Sequence, residues 1–182
     1  MNFDFTKNEF AGMAIITPRI FEDERGHFYE SYKFSDFQKG GISDNFVQDN
    51  YSYSRRGVVR GLHFQAAGKQ QAKLVHCLSG EIYDVVVDLR KFSPTFKKFF
   101  GIILSEKNNS MLYIPKGFAH GFATLSESAK ISYKVSEEYD PKSEFGIRWN
   151  DPDLAIDWRV ENPIVSAKDQ ALPSLKDSKI FF

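Results

Sequence analysis

The stretch "VVRGLHFQ", residues 58 to 65, places an arginine and a histidine three residues apart in a run that otherwise reads as a β-strand. Imidazole titrates near neutral pH and can act as a general base, while guanidinium is a permanently charged, forked donor for anionic oxygens. On an ideal strand Arg60 and His63 would point to opposite faces, because alternation separates positions that differ by an odd number. Gly61 lies between them, and a glycine inside a strand often marks a bulge or a close backbone approach that re-aims its neighbours. Both side chains could then face one cavity. The alternative is an exposed arginine beside a hydrogen-bonded core histidine, and these residues alone leave both readings open.

Other strands carry polar residues in the same way. In "FVQDN", Phe46, Gln48 and Asn50 share a face, so an inward Phe46 brings two amides inward, where each needs a partner. In "KISYKV", Ile131, Tyr133 and Val135 fall on one face and Lys130, Ser132 and Lys134 on the other, which turns Tyr133 inward. A core tyrosine bonded to a backbone carbonyl would satisfy that pattern too. Lys73 in "QAKLV" has the parity of Val75 and Cys77, but the opposite face is also apolar, so its direction is open, and a lysine at a strand entrance is usually solvated. "SAKD" fits a capping box with Ser166 as N-cap and Asp169 reaching back, which is sufficient for Asp169 taken alone.

A metal site is tested by its ligands. "IPKGFAHGF" has the Pro-x-Gly turn and following histidine of the second motif of cupin barrels, where His120 would be a ligand. The first cupin motif normally adds two histidines and a carboxylate, and the matching "GLHFQ" keeps only His63. His27, His63, His76 and His120 are the only imidazoles and none form a His-x-His pair, so the sequence predicts no transition-metal site.

The elements that must position these groups are strands. Runs rich in β-branched and aromatic residues recur as "MAIIT", "HFYESY", "NFVQDNYSY", "GVVRGLHF", "KLVHCL", "EIYDVVVDL", "FFGIIL", "SMLYIP", "GFATL" and "KISYKV". Turn chemistry joins them in "DERG", "LSGE", "KFSPT", "SEKNNS" and "IPKG". About ten strands with short turns predict an all-β sandwich or barrel. One short helix is expected at "SDFQKGG", capped by Ser35 and ended by the glycine pair. From Asn150 onward, prolines break any periodic run, which predicts an irregular tail wrapped over the barrel.

The 182 residues suffice for one domain with a sizeable core, and no repeat or linker marks a boundary. Lysine plus arginine equals aspartate plus glutamate at 24 each, so no global field recruits nucleic acid or an anionic membrane, and an anionic ligand must be met locally. Cys77 is the only cysteine, which excludes an intramolecular disulfide framework and fits a reducing cytoplasm. The N-terminus lacks the basic start and apolar stretch of a signal peptide, and no run approaches a membrane span. The 18 phenylalanines exceed what a minimal core needs, leaving some to line a pocket or subunit interface.

"FEDERGHFYESY", "FVQDNYSYSRRGVVRGLHFQ", "QAKLVHCLSGEIYDVVVDLRKFSPTF", "IPKGFAHGF", "ISYKVSEEYDPKSEFGIRWNDPDLAIDW" and "SAKD" together resemble the dTDP-4-dehydrorhamnose 3,5-epimerase family, from about Ile15 to Asp169. The resemblance implies a cupin-type jelly-roll with a few short peripheral helices. It also implies a homodimer that exchanges N-terminal strands, and action without metal or organic cofactor. The implied substrate is dTDP-4-dehydro-6-deoxy-α-D-glucose and the implied product dTDP-4-dehydro-β-L-rhamnose. A ketone at carbon 4 acidifies the protons on carbons 3 and 5, so such a site needs a base, a partner for the enolate oxygen and an acid on the opposite face.

By that resemblance His63 is the base, Asp169 the carboxylate that orients it, Lys73 the enolate partner and Tyr133 the proton donor at carbon 5. Arg25, Glu30, Gln48, Asn50, Arg60, His120, Glu144 and Lys168 match ligand contacts of the family, and Tyr139 the aromatic position that stacks on thymine. Ala72, Tyr51 and the Lys97-Lys98 pair depart from common family residues, and none of these departures removes a catalytic group. Three other readings are separated by experiment. A 3-epimerase would exchange only one proton, a non-catalytic cupin would bind without exchange, and a cupin oxygenase would carry stoichiometric metal.

Overall fold

Strands with one apolar face must bury it against another layer. In the computed structural model, which describes every residue except Ala67 and Ile180, the chain does this with two facing antiparallel sheets. The first elements are β1 (Phe3–Lys7), β2 (Ala14–Pro18), β3 (Phe21–Asp23), β4 (Gly26–Phe28) and α1 (Phe34–Lys39). There follow β5 (Gln48–Arg55), β6 (Val59–Gln65), β7 (Lys73–Ser79), β8 (Glu81–Asp88) and β9 (Phe99–Ser105). The last are β10 (Met111–Ile114), β11 (Phe118–Thr124), β12 (Ser128–Val135), β13 (Glu144–Gly146) and α2 (Ala167–Gln170).

One sheet runs β1-β2-β10-β7-β12-β5 and the other β13-β6-β11-β8-β9, while β3 and β4 form a separate hairpin. Neighbours distant in sequence make this a sandwich of the kind the strand pattern predicts, and the cupin-type jelly-roll that the family resemblance implies. Each of the ten quoted runs contributes to a strand, and β1, β3 and β13 are short additions. Between the sheets lie Val75, Cys77 and Ile131 from one and Ile82, Val86 and Phe122 from the other. Each such aliphatic side chain, fully buried, contributes about 1.5–3 kcal/mol. Towards one end of this interior the apolar side chains give way to polar ones.

The outer faces are covered differently. On the six-stranded sheet, Phe3 of β1 and Phe37 of α1 pack over Ile16, Leu74 and Met111. On the five-stranded sheet, the segment after Asn150 brings Leu154, Trp158 and Leu175 onto Leu62, Phe64 and Val85. That segment is irregular, as its prolines predict. It is stapled by the buried Asp151 carboxylate, which accepts backbone N–H bonds from Asp153, Leu154 and Leu175. Covering this face is what carries residues 166–169 back to the barrel.

Two local expectations are corrected. Ser35 does not cap α1. The N-cap is Lys33, with no side-chain cap bond, and the helix is set by Phe37, whose ring packs edge-on against Phe3, Phe5 and Tyr32. Phe46 does not share a face with Gln48 and Asn50. It precedes β5 and packs with Tyr32 on the outer cluster, so alternation does not yet apply to it, while both amides line an interior cavity. Among the described residues, no helix is long and apolar enough to cross a membrane.

Candidate active site

Gly61 resolves the parity of Arg60 and His63. Its φ is +111°, and the ladder between β6 and β11 pairs His63 with His120 but Arg60 with Phe122. Three steps on one strand against two on the other define a bulge, and both side chains line one cavity of about 750 Å³. The strands approach so closely here that a Cβ on Gly61 would lie 2.7 Å from both Gly121 Cα and the His120 carbonyl oxygen. Arg60 is held by donating to Ser54 Oγ at 3.0 Å and to the Tyr53 carbonyl at 3.3 Å.

His63 Nε2 lies 2.8 Å from Asp169 Oδ1, and the other carboxylate oxygen accepts the Gly61 N–H at 3.1 Å. Ser166 caps α2 by accepting the Asp169 N–H, but the reciprocal half of the capping box is not made. The carboxylate instead bonds the His63 ring and the bulge. Burial pushes the Asp169 carboxyl up, but the bonds and charge of His63, with Gly61 and Ser166, outweigh it and hold the group below the ordinary range. It is ionised at neutral pH. An imidazole that donates from Nε2 keeps Nδ1 as its basic nitrogen.

Lys73 and Tyr133 stand on the opposite wall, on β7 and β12 of the six-stranded sheet. The parity of Lys73 is thereby settled inward. Burial lowers its ammonium from 10.5 to about 8, against the pull of Asp84 and Glu144. Burial raises the Tyr133 hydroxyl, opposed by Arg60 and helped by Glu144, so the phenol keeps its proton at neutral pH. His120 also lines the cavity, with Nε2 2.9 Å from the fully buried Asp84 Oδ2. Asp84 was not singled out from the sequence, although a charge inside "EIYDVVVDL" with the parity of Ile82 and Val86 is a readable signal.

A smaller cavity of about 290 Å³ adjoins the first across His63, Lys73 and Tyr133, and is lined by Gln48, Asn50, Tyr139 and Glu144 among others. Tyr139 Oη and Lys168 Nζ both donate to Glu144 Oε2, at 2.5 and 2.6 Å. Burial pushes Glu144 up, but these two bonds outweigh it and hold the carboxylate low. Gln48 accepts the Tyr139 N–H at 2.9 Å and donates to Asn50 Oδ1 at 2.8 Å.

Two expected contacts are not brought to either cavity of this chain. Arg25 is exposed at the β3–β4 turn and paired with Asp23, and Glu30 accepts from Asn2 Nδ2. Both belong to a segment that projects from the barrel ahead of α1, so no strand carries them inward. Among the described residues, no three His, Cys, Asp or Glu side chains cluster as a metal site.

Fold and site together define a cupin-type jelly-roll whose cavity sets an imidazole–carboxylate pair against a half-buried lysine and phenol on the facing sheet, groups able to transfer protons. Residues 7–177 match the family model described as dTDP-4-dehydrorhamnose 3,5-epimerase, and the chain belongs to that family. The enzyme of that name from Methanothermobacter thermautotrophicus is 46% identical, covering 98% of both chains. The 3,5-epimerase of Legionella pneumophila, solved with dTDP-4-keto-L-rhamnose, superposes with a TM-score of 0.92 at 47% identity, covering 96% of this chain and 94% of the other. A histidine-and-tyrosine double variant of a 3′-monoepimerase from Streptomyces bikiniensis, solved with dTDP, superposes at 0.87 with 30% identity, covering 93% and 86%.

Proposed function

We propose that the protein is a dTDP-4-dehydrorhamnose 3,5-epimerase, converting dTDP-4-dehydro-6-deoxy-α-D-glucose to dTDP-4-dehydro-β-L-rhamnose for dTDP-L-rhamnose synthesis. The observation that carries this reading is the division of labour between the sheets. His63 with Asp169 stands on the five-stranded wall, Tyr133 and Lys73 on the six-stranded wall, so a sugar ring between them meets a base on one face and an acid on the other.

His63 removes the proton next to the ketone, and Asp169 supports the imidazolium that results. The Lys73 ammonium balances negative charge on the carbon-4 oxygen in a site where such pairing is strong. Tyr133 returns a proton to carbon 5 from the opposite face, which inverts it. No metal or organic cofactor is needed for these steps. Cys77, buried and unpaired, fits work in a reducing cytoplasm.

The active form is a homodimer in which N-terminal strands are exchanged and the β3–β4 segment of one protomer delivers Arg25 and Glu30 to its partner's cavity. Support comes from the position of β1 as a sheet edge and from the absence of both residues from the cavities of their own protomer. Mixing Arg25→Ala with His63→Ala protein, each inactive alone, should regenerate activity once protomers exchange. A monomer by light scattering, or no recovery on mixing, counts against the dimer.

The competing reading is inversion at carbon 3 alone. The monoepimerase neighbour also has a histidine and a tyrosine that its investigators replaced, so Tyr133 by itself does not separate the two. Incubation with the keto-sugar in deuterated water, with a rhamnose-forming reductase as trap, decides. Deuterium at carbons 3 and 5 in trapped dTDP-rhamnose supports the proposal. Label at carbon 3 alone replaces it with a 3-epimerase, and no label leaves a barrel that only binds.

A further inference from the structure

Gln65 closes the stretch that contains Arg60 and His63, and none of the steps above uses it. It follows His63 by two positions on β6 and therefore shares the inward face, with only 5% of its surface exposed. Its Oε1 accepts the Asp140 N–H at 2.7 Å. That bond fixes which end of the carboxamide is oxygen, since a backbone N–H cannot donate to an amide nitrogen. Nε2 is left buried, and among the described residues it has no hydrogen-bond partner. It belongs to the wall of the smaller cavity, beside Tyr139.

Two of the three other amides on this wall are committed in the same sense. Gln48 Oε1 is occupied by the Tyr139 N–H, and Asn50 Oδ1 by Gln48 Nε2. With those oxygens turned to protein groups, Gln48, Asn50 and Gln65 present N–H donors, whereas Gln71 on the same wall spends its Nε2 on the Glu137 carbonyl at 2.7 Å. The Tyr139 ring, 49% exposed, borders them as a flat stacking surface. The Glu144 carboxylate on the same wall repels a diphosphate and leaves a neutral group favoured. A planar heterocycle carrying carbonyl oxygens meets all three conditions. Leaving a buried amide donor unpaired is unfavourable, so such a ligand gains by supplying the acceptor.

We infer that Gln65 is a specificity-determining residue whose Nε2 donates to a ring carbonyl of the pyrimidine base, while its Oε1 holds the backbone next to the stacking Tyr139. This rests on the dTDP-sugar reading and adds to it a residue that recognises the base.

Calorimetric titration of dTDP, 2-thio-dTDP and 4-thio-dTDP tests the inference, because sulfur is a weak acceptor. The wild type should bind dTDP about tenfold tighter than one of the two thio analogues. Gln65→Glu keeps an oxygen for the Asp140 N–H but loses the donor, and Gln65→Met loses both. Each variant should bind dTDP and that analogue alike, a change that a purely structural Gln65 would not produce. Equal binding of all three nucleotides by the wild type, or a preference that survives in Gln65→Met, overturns the assignment of Gln65 alone. No binding of dTDP by the wild type overturns the ligand reading beneath it as well.

Discussion

His63 and Asp169 are 106 residues apart in the chain, and their side chains meet at 2.8 Å. The contact exists because the tail covers the five-stranded sheet and returns α2 to the strand that carries His63. Asp169 is held ionised at neutral pH, and its two oxygens are shared between the His63 ring and the Gly61 N–H. Asp169→Asn keeps the shape and an acceptor for Gly61 but removes the charge. We expect kcat to fall about 100-fold or more, with a melting temperature close to wild type. Steady-state assays with a coupled reductase and a thermal melt check this, and wild-type turnover in the variant would remove Asp169 from the catalytic set.

The Lys73 ammonium, brought to about 8 by burial, gives two linked expectations. Activity that needs the charged form should decline as pH rises through about 8. The folded state binds fewer protons than the unfolded chain between about 8 and 10.5, so stability rises with pH across that window and the penalty is full below it. Lys73→Met should therefore abolish turnover yet raise the melting temperature at pH 7 by a few degrees. Asp84 retains its contact with His120 in that variant. A destabilised Lys73→Met protein would show that the ammonium is compensated by contacts beyond Asp84 and Glu144.

Tyr133 has its phenol held protonated by burial, as a donor requires. Tyr133→Phe removes only the hydroxyl. Deuterium should still enter at carbon 3, while formation of the doubly inverted product should fall about 100-fold or more. Product analysis by proton NMR reads both carbons at once. Unchanged inversion at carbon 5 would move the acid to another residue.

How much of this was legible in the sequence depends on whether the signal was local. The strand pattern, the inward Tyr133 and the bulge at Gly61 follow from alternation and from what glycine permits, which are properties of a few adjacent residues. The His63–Asp169 contact is not local, and "SAKD" taken alone supports a capping box as well as a catalytic carboxylate. Only the resemblance of the whole chain brought the two together. Phe46 was misplaced because alternation was extended past the start of β5. Asp84 was overlooked because its neighbours describe an ordinary core strand. Arg25 and Glu30 lie on a segment ahead of α1, where they bond to Asp23 and Asn2 and reach neither cavity of their own chain.

Gly61 carries the geometric requirement for the site, and its replacement tests the account of how Arg60 and His63 come to face one cavity. At φ +111° an L side chain is strained, and the added methyl would sit 2.7 Å from backbone atoms of Gly121 and His120 that cannot move without shifting β11. The clash falls where β6 and β11 change register, so relief would pull His63 away from Asp169 or Arg60 out of the cavity. Gly61→Ala should therefore lose about 3 kcal/mol or more of stability and most of its activity, even though no catalytic group is altered. Gly121→Ala should behave similarly, because its Cβ would lie 2.6 Å from the Arg60 carbonyl oxygen. Chemical denaturation and turnover measured on both variants give the answer. A stable, active Gly61→Ala protein would mean that the bulge tolerates a side chain and that glycine is not what aims the base.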